Sequence, residues 1–170
     1  MRGGLPGAVA MTMAYVAAGS NVEPVAHLQQ ALQELRDVFP GLAVSPAYRN
    51  KSVGFAGEDF VNLVVGFDTV LAPVHLRDLL QRIEAHCGRA PDAQKWAPRS
   101  MDLDILLYGN LISSEPGLVF PRPDLVRRPY MLKPMADIAP DVVHPLSGKT
   151  MRELWEALGS AGHEMTPVDL

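Results

Sequence analysis

Residues 95–108 read Lys-Trp-Ala-Pro-Arg-Ser-Met-Asp-Leu-Asp-Ile-Leu-Leu-Tyr. The last seven of these residues predict a β-strand, which a following Gly-Asn pair terminates. Residues two apart in a strand share a face and lie about 6.6 Å apart. Asp102 and Asp104 are therefore expected to point the same way, while Leu103, Ile105 and Leu107 bury the opposite face.

Hydrophobic periodicity on either side of this strand predicts the rest of the fold. The predicted elements are a strand at 13–18, a helix over 28–39, an extended segment at 42–50, a strand at 60–69, a helix over 73–87, the strand at 102–108 and a final helix from Thr150. Residues 112–134 are punctuated by prolines and are predicted as loop. This order is typical of an α+β, ferredoxin-like (split βαβ) fold, one antiparallel sheet flanked by helices. We expect a flexible leader at 1–11, a single domain at 12–160 and a frayed tail at 161–170.

Composition narrows the class of protein. The chain has 170 residues, 48% apolar and 20% charged, which supplies enough material for a core. The net charge of −4 argues against non-specific nucleic-acid binding, which needs many cations to neutralise phosphates. A single cysteine, Cys87, excludes an internal disulfide and a cysteine zinc site and fits a reducing cytoplasm. No apolar run is long enough to predict a membrane span.

The Asp-x-Asp pair carries the chemical hypothesis. Two neighbouring carboxylates repel each other unless a cation lies between them, and hard oxygen ligands favour Mg²⁺. Two magnesium ions that clamp a polyphosphate suit this spacing. A solvated sheet face would give the same alternation and remains an alternative. Arg99 before the strand and further arginines after it favour phosphoryl transfer, and no Gly-x-x-x-x-Gly-Lys loop is present for a P-loop kinase.

Residues 95–106 resemble the signature of the 6-hydroxymethyl-7,8-dihydropterin pyrophosphokinases of folate biosynthesis. The similarity extends to residues 14–21, 60–62, 82–84 and 128–132, and covers roughly residues 13–158. The resemblance implies transfer of a pyrophosphoryl group from ATP to the hydroxymethyl group of a reduced pterin, with release of AMP, in the cytoplasm.

The same resemblance implies roles for the charged residues. Asp102 and Asp104 would hold two Mg²⁺ ions and, with Arg99 and Arg89, form the catalytic set, Arg89 lying in a mobile loop that closes over the site. The ATP-binding residues implied are Glu84, Arg99, Ile105, Arg122 and Arg128.

The pterin site is implied in the same way. A flat heterocycle needs aromatic faces to stack on and an amide to pair with its edge. The residues implied are Asn50, Lys51, Val53, Phe60, Asn62, Trp96 and Tyr130. Asn62 is costly in an apolar strand unless it has a partner, whereas core packing is an alternative for the three aromatic residues.

The chain departs from the family pattern in three loops, the first of which has Lys51 and Ser52 where many relatives have prolines. Arg122 stands where many members have a phosphate-binding His, and Pro91 and Asp92 stand where loop residues are often basic. The expected partners are ATP and the pterin, with no nucleic acid and no membrane, and the expected state is a monomer. Two other readings are a ferredoxin-like module that binds a nucleotide or pterin without turnover, and an RNA-binding domain of the same fold.

Overall fold

The computed structural model describes residues 10–51, 59–88, 100–159 and 164–170. Its strands are β1 (Thr12–Ser20), β2 (Ala43–Val44), β3 (Ala47–Asn50), β4 (Phe60–Thr69), β5 (Asp102–Tyr108), β6 (Ser113–Glu115), β7 (Leu118–Phe120) and β8 (Thr166–Val168). Its α-helices are α1 (Pro24–Val38), α2 (Pro73–His86), α3 (Pro129–Ile138) and α4 (Met151–Leu158), and a 3-10 turn spans Pro123–Val126. Most of the predicted leader and the loop at 89–99 lie outside the described residues.

The main sheet has the strand order β5-β1-β4-β3-β8, with β2 also pairing with β4. The paired neighbours run antiparallel. The order β5-β1-β4-β3 is the split βαβ arrangement, because β1 and β4 lie at the centre while α1 and α2 connect strands that are not adjacent. The predicted α+β, ferredoxin-like fold is therefore confirmed. Strands β6 and β7 form a separate hairpin.

Helices cover both faces of this sheet. Ala14, Val16 and Ala18 of β1 pack towards α1 and α2, whereas Tyr15 and Ala17 pack towards α3 and α4. Alternate residues of a strand point to opposite faces, so a strand buried on both sides has an almost continuous apolar sequence. This explains the Ala-Tyr-Val-Ala-Ala run at residues 14–18.

Helix α3 was not expected, because residues 112–134 were predicted as loop. Pro129 stands in the first turn of α3, where its missing N–H costs nothing since that donor has no partner within a helix. Pro134 lies inside the helix, a position that sequence rules treat as a break. The apolar face of α3, including Met131, Leu132 and Met135, packs on the sheet, and this tertiary burial outweighs the local preference.

A β-bulge in β5 corrects the prediction for Leu107. Tyr15 pairs with Leu107 and Val16 pairs with Ile105, which leaves Leu106 as an extra residue. A bulge shifts the alternation of side chains beyond it. Ile105 therefore packs in the core beneath α1 and α2, while Leu107 packs in the other core.

The C-terminal elements give one confirmed prediction and one correction. The helix predicted from Thr150 is present as α4, and Thr150 and Glu153 form a capping box at its start, with reciprocal hydrogen bonds. The tail was predicted to be frayed, but Thr166–Val168 pairs with β3 at the edge of the sheet. Cys87 is buried as expected, and burial raises the pKa of its thiol to about 11. None of the described helices is long and apolar enough to cross a membrane.

Phe67 provides a test of the core beneath α1 and α2. Its side chain is 2% exposed, and its ring stacks on Phe39 with 4.0 Å between centroids. We expect Phe67→Ala to lower the free energy of unfolding by about 3–5 kcal/mol, measured by urea denaturation. The control Val70→Ala, at a side chain that is 52% exposed, should change it by less than about 0.5 kcal/mol. Equal midpoints for the two variants would contradict this packing.

Candidate active site

A cavity of about 720 Å³ lies between α2, the free edge of β5 and the β6–β7 hairpin. Its walls combine apolar side chains with charges of both signs. The charged residues are Arg77, Glu84, Asp102, Asp104, Arg122 and Asp124. The cleft therefore combines carboxylates, which can hold a divalent cation, with guanidinium groups, which can bind phosphate.

Asp102 and Asp104 are half-buried on the same side of β5, as predicted. A guanidinium nitrogen of Arg122, Nη1, lies 3.6 Å from Asp104 Oδ1, and Nη2 lies 3.9 Å from Asp124 Oδ2. The backbone N–H of Arg122 donates to Leu106 O at 2.9 Å, which attaches this arginine to β5. The acidic pair therefore has a fixed cationic neighbour.

Glu84 joins α2 to the edge of β5. Its Oε2 accepts a hydrogen bond from the backbone N–H of Leu103 at 2.7 Å. Backbone groups of alternate residues point to the same side of a strand, so the N–H and C=O of Ile105 also face away from β1, towards the cavity. Glu84 and Ile105 thus both line the cavity.

The donor set suits magnesium better than a metal that needs a closed cage of protein ligands. Within residues 10–51, 59–88, 100–159 and 164–170, no group of three or more His, Cys, Asp or Glu side chains has the geometry of a metal site. Mg²⁺ usually takes one or two carboxylates and completes its shell with water and substrate phosphates. Asp102 and Asp104 meet that requirement.

A row of paired residues connects the acidic pair to Asn62. In the ladders of β1, Gly19 lies opposite Asn62 on one side and opposite Asp102 on the other. Asn62 Nδ2 donates to Asn50 Oδ1 at 2.6 Å, and Asn50 Nδ2 donates to Lys51 O at 3.3 Å. A Cβ on Gly19 would lie 2.4 Å from Asn62 Oδ1. The glycine thus leaves the space in which the Asn62 carboxamide lies.

Tyr130 lies in the first turn of α3, near the acidic pair. Burial raises the pKa of its phenol; the charges of Arg128 and Arg122 act to lower it, whereas those of Asp124 and Asp104 act to raise it. These electrostatic interactions place the ring close to the charged wall of the cavity.

Tyr48 fixes α3 relative to the sheet on the Asn62 side. Tyr48 pairs with Asn62 in the β3–β4 ladder, and its hydroxyl donates to Asp137 Oδ2 at 2.5 Å. Lys133 Nζ donates to the other oxygen of Asp137 at 2.9 Å. Burial, followed by the hydrogen bond to Asp137, raises the pKa of Tyr48 to about 12. This contact holds α3, which carries Tyr130, against β3, the neighbour of the strand that carries Asn62.

The remaining predicted site residues are placed as follows. Phe60 is half-buried and pairs with Asn50, Lys51 is exposed, and Arg128 Nε lies 4.0 Å from Asp124 Oδ1. Four residues lie outside the described part of the chain: Val53, Arg89, Trp96 and Arg99.

Sequence reasoning missed Gly19 and Arg77 as site residues. Gly19 lies just beyond the strand predicted at 13–18, and its close approach to Asn62 depends on strand register. Arg77 carried a usable signal, because Arg77, Gln81 and Glu84 recur at i, i+4 and i+7 and so form one helical stripe. The three side chains line the cavity together.

The chain is similar to known proteins over most of its length. A family model described as 7,8-dihydro-6-hydroxymethylpterin-pyrophosphokinase matches residues 15–140. A 2-amino-4-hydroxy-6-hydroxymethyldihydropteridine pyrophosphokinase of Pseudomonas aeruginosa is 42% identical over 161 residues, covering 90% of this chain and 96% of the relative. One of Synechocystis sp. is 40% identical over 147 residues, covering 84% and 74%.

Solved structures show a similar fold. A crystal structure titled as Plasmodium falciparum HPPK-DHPS, wild type with STZ-DHP, has a TM-score of 0.68 at 14% identity. The match covers 90% of this chain and 42% of that longer one.

Proposed function

The chain belongs to the 7,8-dihydro-6-hydroxymethylpterin-pyrophosphokinase family, and on that premise we propose how its residues divide the reaction. The enzyme transfers pyrophosphate from ATP to the hydroxymethyl group of 6-hydroxymethyl-7,8-dihydropterin in folate biosynthesis. One observation supports this assignment of roles. Asp102, Gly19 and Asn62 lie opposite one another on three adjacent strands, which places the acidic pair and the Asn62 carboxamide in line across the sheet.

Asp102 and Asp104 hold the magnesium, and we assign two ions to them. When bound, magnesium neutralises charge on the transferring phosphates and on the leaving AMP. Support comes from the shared orientation of the two carboxylates and from the oxygen-only donor set. Arg122 Nη1, at 3.6 Å from Asp104, balances charge near the pair before the substrate arrives.

The nucleotide occupies the cavity beside β5. Arg122 and Arg128 contact its phosphates, together with Arg99, which lies outside the described residues. Glu84 and the outward backbone groups of Ile105 bind the nucleoside part. A guanidinium offers paired donors to phosphate oxygens. Unlike a histidine, Arg122 keeps its charge at neutral pH and cannot give or take a proton.

The pterin lies against the Asn62 end of the row. The Asn62 carboxamide supplies a donor and an acceptor for the edge of the ring, and Phe60 and Tyr130 supply aromatic faces. Asn50 and Lys51 complete the pocket from the end of β3, whereas Val53, which the resemblance adds to them, lies outside the described residues. The roles that the resemblance implies for Trp96 at the pterin and for Arg89 in catalysis fall on residues outside the described part of the chain.

Chemistry then depends on alignment. The pterin hydroxyl oxygen attacks the β-phosphorus of ATP, a new O–P bond forms, and the bond from the β-phosphorus to the oxygen of AMP breaks while the hydroxyl proton is released. Such transfers need positioning and charge stabilisation rather than a protein nucleophile. Strands about 4.8 Å apart put the backbones of Asn62 and Asp102 about 10 Å from each other, which suits a ring at one end and metal-held phosphates at the other.

We propose a cytoplasmic monomer whose catalytic domain spans residues 12–168, since β8 (Thr166–Val168) pairs with β3 and so belongs to the same sheet. The cytoplasmic location is inferred from composition, because a chain with a single cysteine suits a reducing compartment. Cys87 is buried, and burial raises the pKa of its thiol to about 11, so this cysteine is unreactive.

The proposal is tested by incubating the purified protein with ATP, Mg²⁺ and 6-hydroxymethyl-7,8-dihydropterin. AMP and the pterin diphosphate should form in equal amounts, as measured by chromatography of the reaction mixture. Formation of ADP, or ATP binding without any pterin product, would contradict pyrophosphoryl transfer at this site.

Asp104→Asn tests the metal assignment. The substitution keeps the size of the side chain but removes the charge, so kcat should fall by at least about a hundredfold while the urea midpoint changes little. Asp141→Asn is the matched control, because that carboxylate is 80% exposed and pairs with Arg152 away from the cavity. A near-normal rate for Asp104→Asn would show that this carboxylate does not hold the metal.

Gly19→Ala tests the pterin assignment. The new Cβ would displace the Asn62 carboxamide, which is the mobile end of a side chain, so the protein should still fold. Loss of that oriented amide should weaken pterin binding about ten- to a hundredfold, measured by calorimetry, with little effect on an ATP analogue. Gly41→Ala is the control, since nothing lies within 4 Å of its Cβ position. If both variants bind the pterin with the affinity of the parent protein, the Asn62 carboxamide does not bind the edge of the ring.

A further inference from the structure

Arg77 is a cation in the cavity that the assignments above leave without a role. It lies on α2, lines the cavity, and has a side chain that is 34% exposed. Its guanidinium reaches the turn of the β6–β7 hairpin, where a Cβ on Gly117 would lie 3.0 Å from Arg77 Nη1. Gly117 also has a positive φ of 78°, so this turn suits glycine twice over and leaves room for the arginine.

The hydrogen-bonding capacity of Arg77 is incompletely used by the described residues. Its Nε is buried and has no hydrogen-bond partner among them. The carboxylate of Asp78 lies 3.8 Å from Nη2 and is half-exposed, so it provides a weak, screened contact. Burying the Nε–H of a guanidinium without an acceptor lowers stability, so the position of Arg77 is not explained by stabilisation of the fold.

The position of Arg77 along the cavity identifies the part of the ligand it meets. Helix α2 runs antiparallel to β5, because Glu84 bonds to Leu103 near the start of β5, and Tyr108 at the end of β5 donates to Leu71 O, before the helix. Arg77 is seven residues from Glu84, about 10.5 Å along the helix axis. It therefore lies at the end of the cavity away from the acidic pair.

Apolar side chains fill the interval between these two ends. Leu80 and Ile105 line the cavity between the acidic pair and Arg77, and Val119 lines it beside the Gly117 turn. A nucleotide whose phosphates lie at Asp104 would direct its base along these apolar walls. A planar guanidinium packs well on the face of a flat π system.

We propose that Arg77 binds the base of the nucleotide by stacking its guanidinium on the ring. This inference rests on the proposed function, since it takes the phosphates to lie at Asp102 and Asp104. Arg77 is then a binding and specificity residue, and it takes no part in the transfer itself.

The test compares two probes, each with Mg²⁺: a non-hydrolysable ATP analogue and inorganic tripolyphosphate, which has no base. Arg77→Ala should weaken binding of the analogue about tenfold and leave tripolyphosphate binding unchanged, by calorimetry. Arg77→Lys keeps the charge but lacks the planar group, so its affinity for the analogue should remain reduced. Arg82→Ala, an exposed arginine of the same helix, should behave like the parent.

Three results would overturn the proposal: equal losses for both probes, full recovery in Arg77→Lys, or an Arg77→Ala variant that binds the analogue normally. A second readout uses turnover, because Arg77→Ala should lose much of the preference for ATP over CTP that a stacked base confers. Failure of the parent protein to make AMP would instead count against the reaction assignment, so the two failures are distinguishable.

Discussion

The pairing of β1 with both of its neighbours is the constraint on which the rest of the site depends. Gly19 lies opposite Asn62 and Asp102 at once, so the register of one central strand determines how the carboxamide and the acidic pair face each other. A slip of one residue would turn every side chain to the other face of the sheet. Because β1 lies between two differently packed cores, such a slip would exchange side chains between them and disrupt the packing of both. The hydrophobic cores therefore also maintain the geometry of the site.

The two helical layers contribute differently to that geometry. On one face, α2 supplies Glu84, whose carboxylate bonds to the edge of β5 and closes one wall of the cavity. On the other face, α3 brings Tyr130 towards the acidic pair and is tied to β3 through Tyr48 and Asp137. The overall charge of −4 had argued against phosphate-rich polymers. It is compatible with a single triphosphate, since the acidic pair attracts cations and the arginines stand next to it.

Much of the fold could be predicted because it follows from short-range patterns. The stripes of α1 and α2, the β-branched and aromatic residues of β4 and the capping box of α4 are local signals. Helix α3 could not be predicted, because its prolines oppose a helix locally and its stability comes from packing on a sheet formed by distant segments. Strand β8 has three residues and exists through its pairing with β3. The bulge at Leu106 likewise depends on the partner strand, so the sequence could not predict which face of the sheet Leu107 occupies.

The candidate site divides in the same way. The sequence by itself determined the residue types and the same-face orientation of Asp102 and Asp104, because strand geometry places residues two apart on one side whatever surrounds them. Tertiary structure alone decided that Gly19 makes room for Asn62, that Arg122 lies beside Asp104, and that Arg77 enters the cavity beside Gly117. Those relations join segments distant in the chain, and their distances are set by strand register and helix packing, which no local pattern encodes.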